Sequence, residues 1–433
     1  MIRLYDFDEV KPEEILNRDI RAEADVEATV DAIIADVRAR GDAALLDYAA
    51  KFDHAQLDSV QVTQAEIDEA FAALEASDPE FITTLKMAAA NIRHFHEQQL
   101  HKNFVLNDRP GMVLGQKYTP IQRAGVYVPG GTAAYPSTVL MDVIPAKVAG
   151  VQQIVMTTPA GRDGKVNAGI LAAAVIAGID CIFKTGGAQA VAALAYGTES
   201  VPAVDKIVGP GNIYVATAKR KVFGKVGIDM IAGPSEILVL ADGSCNPAWV
   251  AADLLSQAEH DKLATPVLVT DSWDLAKAVQ AELEVQIPQL PRAAIARASV
   301  DTNGKIIVTD DMKKAIDAVN IIAPEHLEIC VDDPFAVLND VQNAGSIFLG
   351  KNVPEALGDY FAGPNHTLPT SGTARFSSPL GVDDFVKKSS FIYYTREALG
   401  EVQARIANFA EHEGLHAHAK SVTIRFEDEQ KGE

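Results

Sequence analysis

The chain has 433 residues, and 48% of them are hydrophobic, which supports more than one folded core and rules out extended disorder. Acidic side chains outnumber basic ones by 59 to 38, and the net charge of −21 repels nucleic-acid backbones and anionic membrane surfaces. We therefore expect neither a nucleic acid nor a membrane as a partner.

The first hundred residues are predicted to be helical. Apolar side chains recur there at helical spacing, at Val26, Val30, Ile33, Ile34 and Val37. The N-terminus itself has neither the basic region nor the apolar core of a secretion signal, and no apolar run of the chain reaches membrane-spanning length.

A different rhythm begins near Ala124, where short β-rich runs alternate with Ala-rich helical stretches, as in parallel βαβ units. The first series has predicted strands at 124–128, 153–156, 181–184 and 206–208. The second series has predicted strands at 236–241, 266–270, 305–309 and 346–349. From about Val382 the tail reverts to a helical pattern. This order predicts an α/β fold with two domains.

Four glycine-rich turns follow predicted strands or precede the next one, at 129–131, 186–189, 209–212 and 233–236. Each has a polar or aromatic residue nearby: Tyr127, Gln189, Asn212 and Ser235. Such turns let backbone amides approach a phosphate, so they indicate a nucleotide-like ligand, although any one of them could be a simple chain reversal. The standard dinucleotide fingerprint G-x-G-x-x-G is absent.

Three cysteines, Cys181, Cys245 and Cys330, are odd in number and far apart, which favours free structural thiols. Free thiols are typical of a reducing compartment, so we expect a cytoplasmic protein.

Six of the ten histidines lie between positions 260 and 418, with carboxylates beside them. The groups are Glu259-His260-Asp261, Glu325-His326, Asp359 with His366, and Glu411-His412-Glu413 with His416 and His418. Nitrogen and oxygen ligands without thiolates suit a hard or borderline divalent cation, and a Glu-His pair can move protons near neutral pH. The pattern predicts a metal-assisted proton-transfer site. The alternative is a set of solvated surface histidines.

The spacing within these groups narrows the candidate metal ligands. On a predicted helix over 246–260, Gln257 and His260 stand at i and i+3 and project from one face. His416 and His418 are two residues apart and lie on different faces of a helix, so only one of them can serve. Asp359 would supply a further oxygen.

Short blocks that contain these residues stand in a fixed order along the chain. They are 127–131 (YVPGG), 186–190 (GGAQA), 204–212 (VDKIVGPGN), 232–236 (AGPSE), 253–260 (DLLSQAEH), 324–327 (PEHL), 358–360 (GDY), 365–366 (NH), 373–378 (TARFSS) and 413–418 (EGLHAH). In sequence and order, the blocks resemble those of the histidinol dehydrogenase family over nearly the full length.

The resemblance implies two incomplete Rossmann-like domains with small helical N- and C-terminal segments, assembled as an intertwined homodimer. The segments would be an N-terminal segment 1–23, a first α/β domain 24–123 plus 236–381 with the zinc and catalytic residues, a second α/β domain 124–235 on the NAD side, and a C-terminal helical segment 382–433 that reaches the partner subunit.

The resemblance also implies a zinc- and NAD-dependent four-electron oxidation of L-histidinol to L-histidine through L-histidinal. By this resemblance, one zinc ion per subunit is held by Gln257, His260, Asp359 and His418. Acid-base chemistry falls to Glu325 and His326. Substrate contacts are expected from Ser235, His366 and Glu413, together with the zinc ligands and His326, and NAD contacts from Tyr127, Gln189 and Asn212.

Other functions remain open at this point. A related dehydrogenase of another primary alcohol, such as a sulfonated propanediol, would use the same proton chemistry, but the presence of His366, Glu413 and the zinc set favours histidinol. A zinc hydrolase would need no nucleotide, and a noncatalytic binding protein would give no reason for the Glu325-His326 pair. An aldehyde dehydrogenase route through a covalent thiol is disfavoured, because no cysteine lies in the blocks.

Overall fold

The computed structural model of the protein describes residues 1–10, 24–130 and 134–427. The chain forms two compact units: a larger one, Met1–Leu100 with Ile121–Phe385, and a smaller one, His101–Pro120 with Val386–Glu433. The predicted N-terminal segment lies outside the described residues from position 11 to 23, as does Gly131 of the first glycine-rich turn.

The strands in the described part of the chain are β1 Arg3–Asp6, β2 Phe104–Leu106, β3 Met112–Pro120, β4 Arg123–Tyr127, β5 Gln153–Thr158, β6 Cys181–Lys184, β7 Lys206–Val208, β8 Gly227–Ile228, β9 Glu236–Ala241, β10 Thr265–Thr270, β11 Lys305–Val308, β12 His326–Cys330, β13 Ser346–Leu349 and β14 Val386–Tyr394.

The α-helices of the same residues are α1 Ala24–Arg40, α2 Asp42–Tyr48, α3 Gln64–Ser77, α4 Pro79–Glu97, α5 Pro136–Ala149, α6 Ala168–Ala177, α7 Gly187–Tyr196, α8 Ile213–Val222, α9 Pro247–Ala258, α10 Trp273–Gln286, α11 Ala293–Thr302, α12 Met312–Ile322, α13 Pro334–Leu338, α14 Glu355–Leu357, α15 Arg396–His412 and α16 His416–Thr423. Within the described residues, every helix is too short or too polar to cross a lipid bilayer.

Two parallel sheets organise the larger unit. One has six strands in the order β1-β11-β10-β9-β12-β13, and the other has five in the order β6-β5-β4-β7-β8. Because parallel strands need crossover connections, helices alternate with them along the chain and cover apolar side chains of the strands. The predicted α/β class is confirmed.

The smaller unit contains an antiparallel sheet, β14-β3-β2. β14 pairs with β3 over nine residues, from Val386↔Pro120 to Tyr394↔Met112, and α15 and α16 follow in the chain. The prediction of a helical C-terminal segment is therefore wrong for 386–394. The aromatic and β-branched run Phe391–Tyr394 is typical of a strand.

The strand predictions were accurate where apolar runs are continuous. Four strands lie where they were predicted, at Cys181–Lys184, Lys206–Val208, Glu236–Ala241 and Ser346–Leu349. The prediction of a helical N-terminus is wrong at Arg3–Asp6, which adds an edge strand beside β11. Four residues are too few to show a sequence periodicity, and the segment is recognised as a strand only through its pairing with β11.

The two predicted strand series did not include β12, an interior strand of the six-stranded sheet, although Cys330 at its end was recognised as part of an apolar, strand-like run. Its apolar residues Leu327 and Ile329 alternate with His326 and Glu328, yet all four are buried. Strands of a covered parallel sheet normally read as continuous apolar runs. The two buried polar side chains interrupt that signal, and both lie near the candidate site described below.

A buried ion pair fixes one glycine-rich turn of the five-stranded sheet. The Lys219 ammonium contacts Asp229, and the two side chains are 2% and 1% exposed. Lys219 also donates to the Gly209 carbonyl at 2.9 Å, and Asp229 accepts from the Gly209 N–H at 2.8 Å. Gly209 has a φ of 116°, and a Cβ there would lie 2.1 Å from the Tyr127 carbonyl oxygen, so only glycine fits.

Removing one partner of this pair should destabilise the fold strongly. We expect Lys219→Met to lower the free energy of unfolding by about 3–5 kcal/mol, because it leaves the Asp229 charge buried and unpaired. Lys221→Met is the matched control, since the Lys221–Asp31 pair joins partly exposed side chains and its loss should cost about 1 kcal/mol or less. Urea unfolding followed by circular dichroism measures both. Equal losses in the two variants would contradict this account.

Candidate active site

The two residues of the predicted acid-base pair, Glu325 and His326, both contact the backbone of Glu236 on the neighbouring strand β9. The Glu236 N–H donates to Glu325 Oε2 at 2.7 Å, and the Glu236 carbonyl lies 2.9 Å from His326 Nδ1. A carbonyl can only accept, so Nδ1 of His326 carries a hydrogen and donates it. The backbone of Glu236 therefore orients both side chains, which are buried.

The other ring nitrogen of His326 faces two carboxylates. Its Nε2 lies 3.7 Å from Asp359 Oδ1 and 3.9 Å from Glu355 Oε1. Within the described residues neither Nε2 nor Glu355 Oε1 has a hydrogen-bond partner, although both are buried. Because buried polar atoms are normally paired, these two are suited to a bound molecule or ion. His326 also lines a cavity of about 240 Å³, together with Asp359 and His366 among others.

Burial and charge act against each other in this cluster. Burial by itself lowers the pKa of His326, but Glu325 and Asp359 outweigh it and hold that pKa well above its usual value. Burial likewise favours the neutral form of Asp359, yet His326 and His366 bring its pKa well below the usual range. For His366, burial prevails over the nearby Asp359 carboxylate, and the pKa is lowered.

Asp359 and His366 stand on irregular backbone that their neighbours fix. Asp359 lies in a single π-helical turn, Gly358–Ala362, a form that often occurs at functional sites. A Cβ at Gly358 would lie 2.5 Å from the Phe348 ring, so the turn requires glycine there. His366 Nδ1 is 3.7 Å from Asp359 Oδ1.

The residues on either side of His366 are anchored to α5. The Asn365 amide donates to the Met141 carbonyl at 2.6 Å, and the Thr367 hydroxyl donates to Asp142 at 2.8 Å. Asp142 is completely buried, and burial raises its pKa to about 8. These contacts hold His366 on a fixed segment rather than on a free loop.

The last turn of α9 carries Gln257, which is 1% exposed. Neither its amide oxygen nor its amide nitrogen has a hydrogen-bond partner within the described residues. Its neighbour Ser256 donates to Glu355 Oε2 at 3.0 Å. An amide buried without partners is costly unless something binds it, so Gln257 fits a metal ligand.

The helix predicted over 246–260 extends two residues too far at its C-terminal end. It begins after the cap Asn246 and ends at Ala258, so His260 lies in the following turn, where its N–H donates to the Gln257 carbonyl at 3.1 Å. The helix therefore does not extend to His260, and the placement of Gln257 and His260 as ligands from one turn stays a prediction. His260 is partly exposed.

The residues predicted to contact NAD lie at the end of one strand of the five-stranded sheet and at the helices that follow two other strands. Tyr127 ends β4, and its hydroxyl accepts from the Gly187 N–H at 3.2 Å, while burial raises the Tyr127 pKa to about 12. Gln189 is buried on α7. Asn212 caps α8 by accepting from two N–H groups, at 3.1 and 3.2 Å, a structural role that the sequence analysis missed.

A cavity of about 930 Å³ lies beside the first glycine-rich turn. Its lining includes Gly130, Pro159 and Gly161 from turns of this sheet, together with Phe52 and Asp53. Asp53 Oδ2 is buried without a partner within the described residues, and burial raises the Asp53 pKa to about 6. An aromatic ring and a carboxylate in one large cavity are features that a nucleoside can use.

Glu413 and His418 belong to the smaller unit, where both are exposed at the end of α15 and on α16. The larger unit brings Glu325, His326, Asp359 and His366 into one cluster. Ser235 directly precedes Glu236. Two members of the cluster, Glu236 and Glu355, were not predicted as site residues. Glu236 is the last residue of the block 232–236, but its contacts could not be foreseen from the sequence. Glu355 lies in none of the blocks.

Comparison with known proteins gives a consistent result. The family model for histidinol dehydrogenase matches residues 16–426. Histidinol dehydrogenase of Listeria monocytogenes serovar 1/2a is 53% identical over 423 residues, 97% of either chain. That of Bacillus subtilis strain 168 is 58% identical over 368 residues, 85% of this chain and 86% of the relative. The crystal structure of histidinol dehydrogenase from Elizabethkingia anophelis matches with a TM-score of 0.94 and 38% identity, covering 99% of each chain.

The charge balance at His326 can be tested in metal-free protein. Asp359→Asn removes one of the carboxylates that raise the His326 pKa, so the ring should lose its proton at lower pH, by roughly one unit or more. NMR titration of ¹⁵N-labelled histidine, assigned with His326→Gln, measures this. Asp261→Asn, whose carboxylate binds the Leu263 N–H instead, should leave the titration unchanged. An unshifted pKa in Asp359→Asn would contradict the assignment.

Proposed function

Because the chain belongs to the histidinol dehydrogenase family, whose oxidoreductase activity is the final step of histidine biosynthesis, we propose that it oxidises L-histidinol to L-histidine in two NAD-dependent steps at a zinc site. The observation that carries the proposal is the backbone of Glu236, which orients Glu325 and His326 together beside the unpartnered Nε2 of His326.

Zinc would be held by Gln257, His260 and Asp359 with a fourth ligand, His418. The donor set of one amide, two imidazoles and one carboxylate suits zinc, and the unpartnered amide of Gln257 supports it. When bound, zinc supplies a Lewis acid that orients the polar groups of the substrate.

His326 is the proposed base for both oxidations. Its Nε2 takes the hydroxyl proton of the alcohol as the first hydride leaves for NAD, which gives the aldehyde. Glu325 then accepts a proton from water that adds to the aldehyde carbon. The adduct is then the monoanion of the aldehyde hydrate, and His326 takes its remaining hydroxyl proton as the second hydride leaves, which gives the carboxylate. The base must release its first proton before the second step.

Substrate binding would use the smaller cavity. His366 lines it together with His326 and Asp359, and its volume of about 240 Å³ is small enough to enclose a compact amino alcohol. Ser235 lies next to Glu236, and we propose that Ser235, His366 and Glu413 contact the substrate beside the zinc ligands.

NAD would bind at the edge of the five-stranded sheet. Tyr127, Gln189 and Asn212 stand at or beside three of its glycine-rich turns, and the 930 Å³ cavity is large enough for a nucleoside end of the cofactor. Turns of this kind at the carboxyl ends of parallel strands let backbone amides approach phosphate groups.

A homodimer is the proposed assembly, with the C-terminal segment 382–433 reaching the partner subunit. The smaller unit exposes large apolar side chains that a monomer would leave in water, among them Ile392 (75%), Tyr393 (57%) and Phe409 (68%). Each site would then contain the partner subunit's His418.

We propose two incomplete Rossmann-like domains, 24–123 plus 236–381 and 124–235, because each contains most of one parallel sheet. We also propose that the enzyme works in the cytoplasm, in keeping with three free cysteines.

Replacing the base should slow turnover without removing the metal. We expect His326→Gln to lower the rate of L-histidinol-dependent NAD reduction by roughly 10²- to 10⁴-fold, the usual contribution of general base catalysis. Zinc content, measured by atomic absorption, should equal that of the unmodified enzyme. His94→Gln, an exposed histidine on α4, is the matched control and should keep full activity. Loss of zinc in His326→Gln would make His326 a ligand instead.

A shared zinc site makes two inactive variants complementary. In a mixed dimer of His260→Ala and His418→Ala chains, one site collects both defects and the other is intact. Refolding equal amounts together should restore roughly a quarter of the sites of refolded wild-type protein, because half of randomly paired dimers are mixed. If each site were built within one chain, mixing would restore no activity.

A further inference from the structure

A second pair of ionisable side chains lies one layer behind His326 and Gln257. Glu328 is two residues after His326 on β12 and projects to the same side of the sheet. Asp253 is four residues before Gln257 on α9 and lies on the same helical face. The Asp253 and Glu328 carboxylates and the Cys330 thiol have ligand-type atoms within 4.8 Å of one another. The alternation of the strand and the turn of the helix thus produce two successive polar layers.

The contacts of Glu328 connect this layer to the candidate site. Its Oε1 accepts from the Glu355 N–H at 2.7 Å, at the start of the short helix that leads into the Asp359 turn. Its Oε2 is buried without a hydrogen-bond partner, and Glu328 is only 1% exposed. Across the described residues no lysine, arginine or histidine forms an ion pair with Asp253 or Glu328.

Glu328 is buried and Asp253 is partly buried, and two carboxylates at this separation without a cation favour the binding of a proton by one of them. Burial, and then the nearby Asp253, raise the pKa of Glu328 to about 9, and burial raises the pKa of Asp253 as well. The other ionisable groups that face the pair are Glu355 and Cys330, and Cys330 in turn contacts Cys245. A proton on one carboxyl group would form a hydrogen bond to the other carboxyl group and so provide the missing partner for Glu328 Oε2.

We propose that Asp253 and Glu328 share one proton and act as a positioning pair, which holds the Glu355–Asp359 segment against the layer of His326 and Gln257. Glu328 binds the backbone at the start of that segment, while Asp253 ties Glu328 to the helix that carries Gln257. The pair contacts neither substrate nor metal. Its effect on the zinc site rests on the proposed function, in which Asp359 and Gln257 are ligands.

The shared proton has a spectroscopic test that does not depend on zinc. Infrared difference spectra of the wild-type protein minus each variant, Glu328→Gln or Asp253→Asn, test this at pH 7.5. Each variant should lack one C=O band of a protonated carboxyl group. The reason is that an amide side chain in either position lets the remaining carboxyl group ionise and accept a hydrogen bond from that amide. The band should disappear from the wild-type protein as the pH passes about 9. Cys245→Ala should leave its titration unchanged.

The positioning role is tested by zinc affinity in a chelator competition. Glu328→Gln keeps an acceptor for the Glu355 N–H and should bind zinc within roughly threefold of wild type, whereas Glu328→Leu removes that acceptor and should weaken binding roughly 10- to 100-fold, as is usual for groups that support metal ligands. The two variants form a matched pair. In wild type and Glu328→Gln, metal analysis should give one zinc per chain.

Each result bears on a separate claim. A band lost in only one amide variant, or in neither, would overturn the shared proton. Equal zinc affinity in a folded Glu328→Leu variant would overturn the positioning role, and a second zinc ion that is lost in Asp253→Asn would make the pair a metal site. Failure of the wild-type protein to bind any zinc would instead contradict the proposed function and leave the infrared result standing.

Discussion

The geometry of the candidate active site depends on how one residue of β9, Glu236, contacts Glu325 and His326 at the start of β12. Its N–H donates to the Glu325 carboxylate and its carbonyl accepts from Nδ1 of His326, so the backbone of a single residue fixes a carboxylate and an imidazole tautomer at once. Parallel pairing of β9 with β12 sets this register, with His326 opposite Ile237. Side chains mounted on interior strands move little, which suits chemistry that needs a fixed distance between base and substrate.

Successive side chains of β12 point to opposite sides of the sheet, so the strand contributes to an apolar layer on one side and a polar layer on the other. Leu327 and Ile329 enter the apolar core, while His326 and Glu328 enter a polar layer against α9. The polar layer is costly to bury, and its charges are balanced by hydrogen bonds, by neighbouring histidines and, in the proposed enzyme, by zinc. The site is thus embedded in the sheet of the larger unit rather than carried on a mobile surface loop.

The sequence predicted much of this structure, for physical reasons that can be named. Continuous apolar runs such as 236–241 predicted strands at their true bounds. The family blocks contain Glu325, His326, Asp359 and His366, which the structure brings into one cluster. The strand β12 was absent from the predicted series because the buried residues His326 and Glu328 stand where the pattern expects apolar ones. The end of α9 was misplaced by two residues, since no glycine marks it. Contacts such as that between Glu328 and the Glu355 N–H depend on chain segments that are distant in sequence, and periodicity contains no information about them.

The central claim is that one site performs both oxidations, with Glu325 activating the water that only the second oxidation consumes. The most direct measurement is the number of NADH molecules formed per L-histidinol consumed, in wild type and in Glu325→Gln with a reagent that traps aldehydes. The account predicts two for the wild type. For the variant it predicts one, with trapped aldehyde, because the water that converts the aldehyde to the diol is no longer activated. A wild-type value of one, or a variant that still forms two at the wild-type rate, would contradict it.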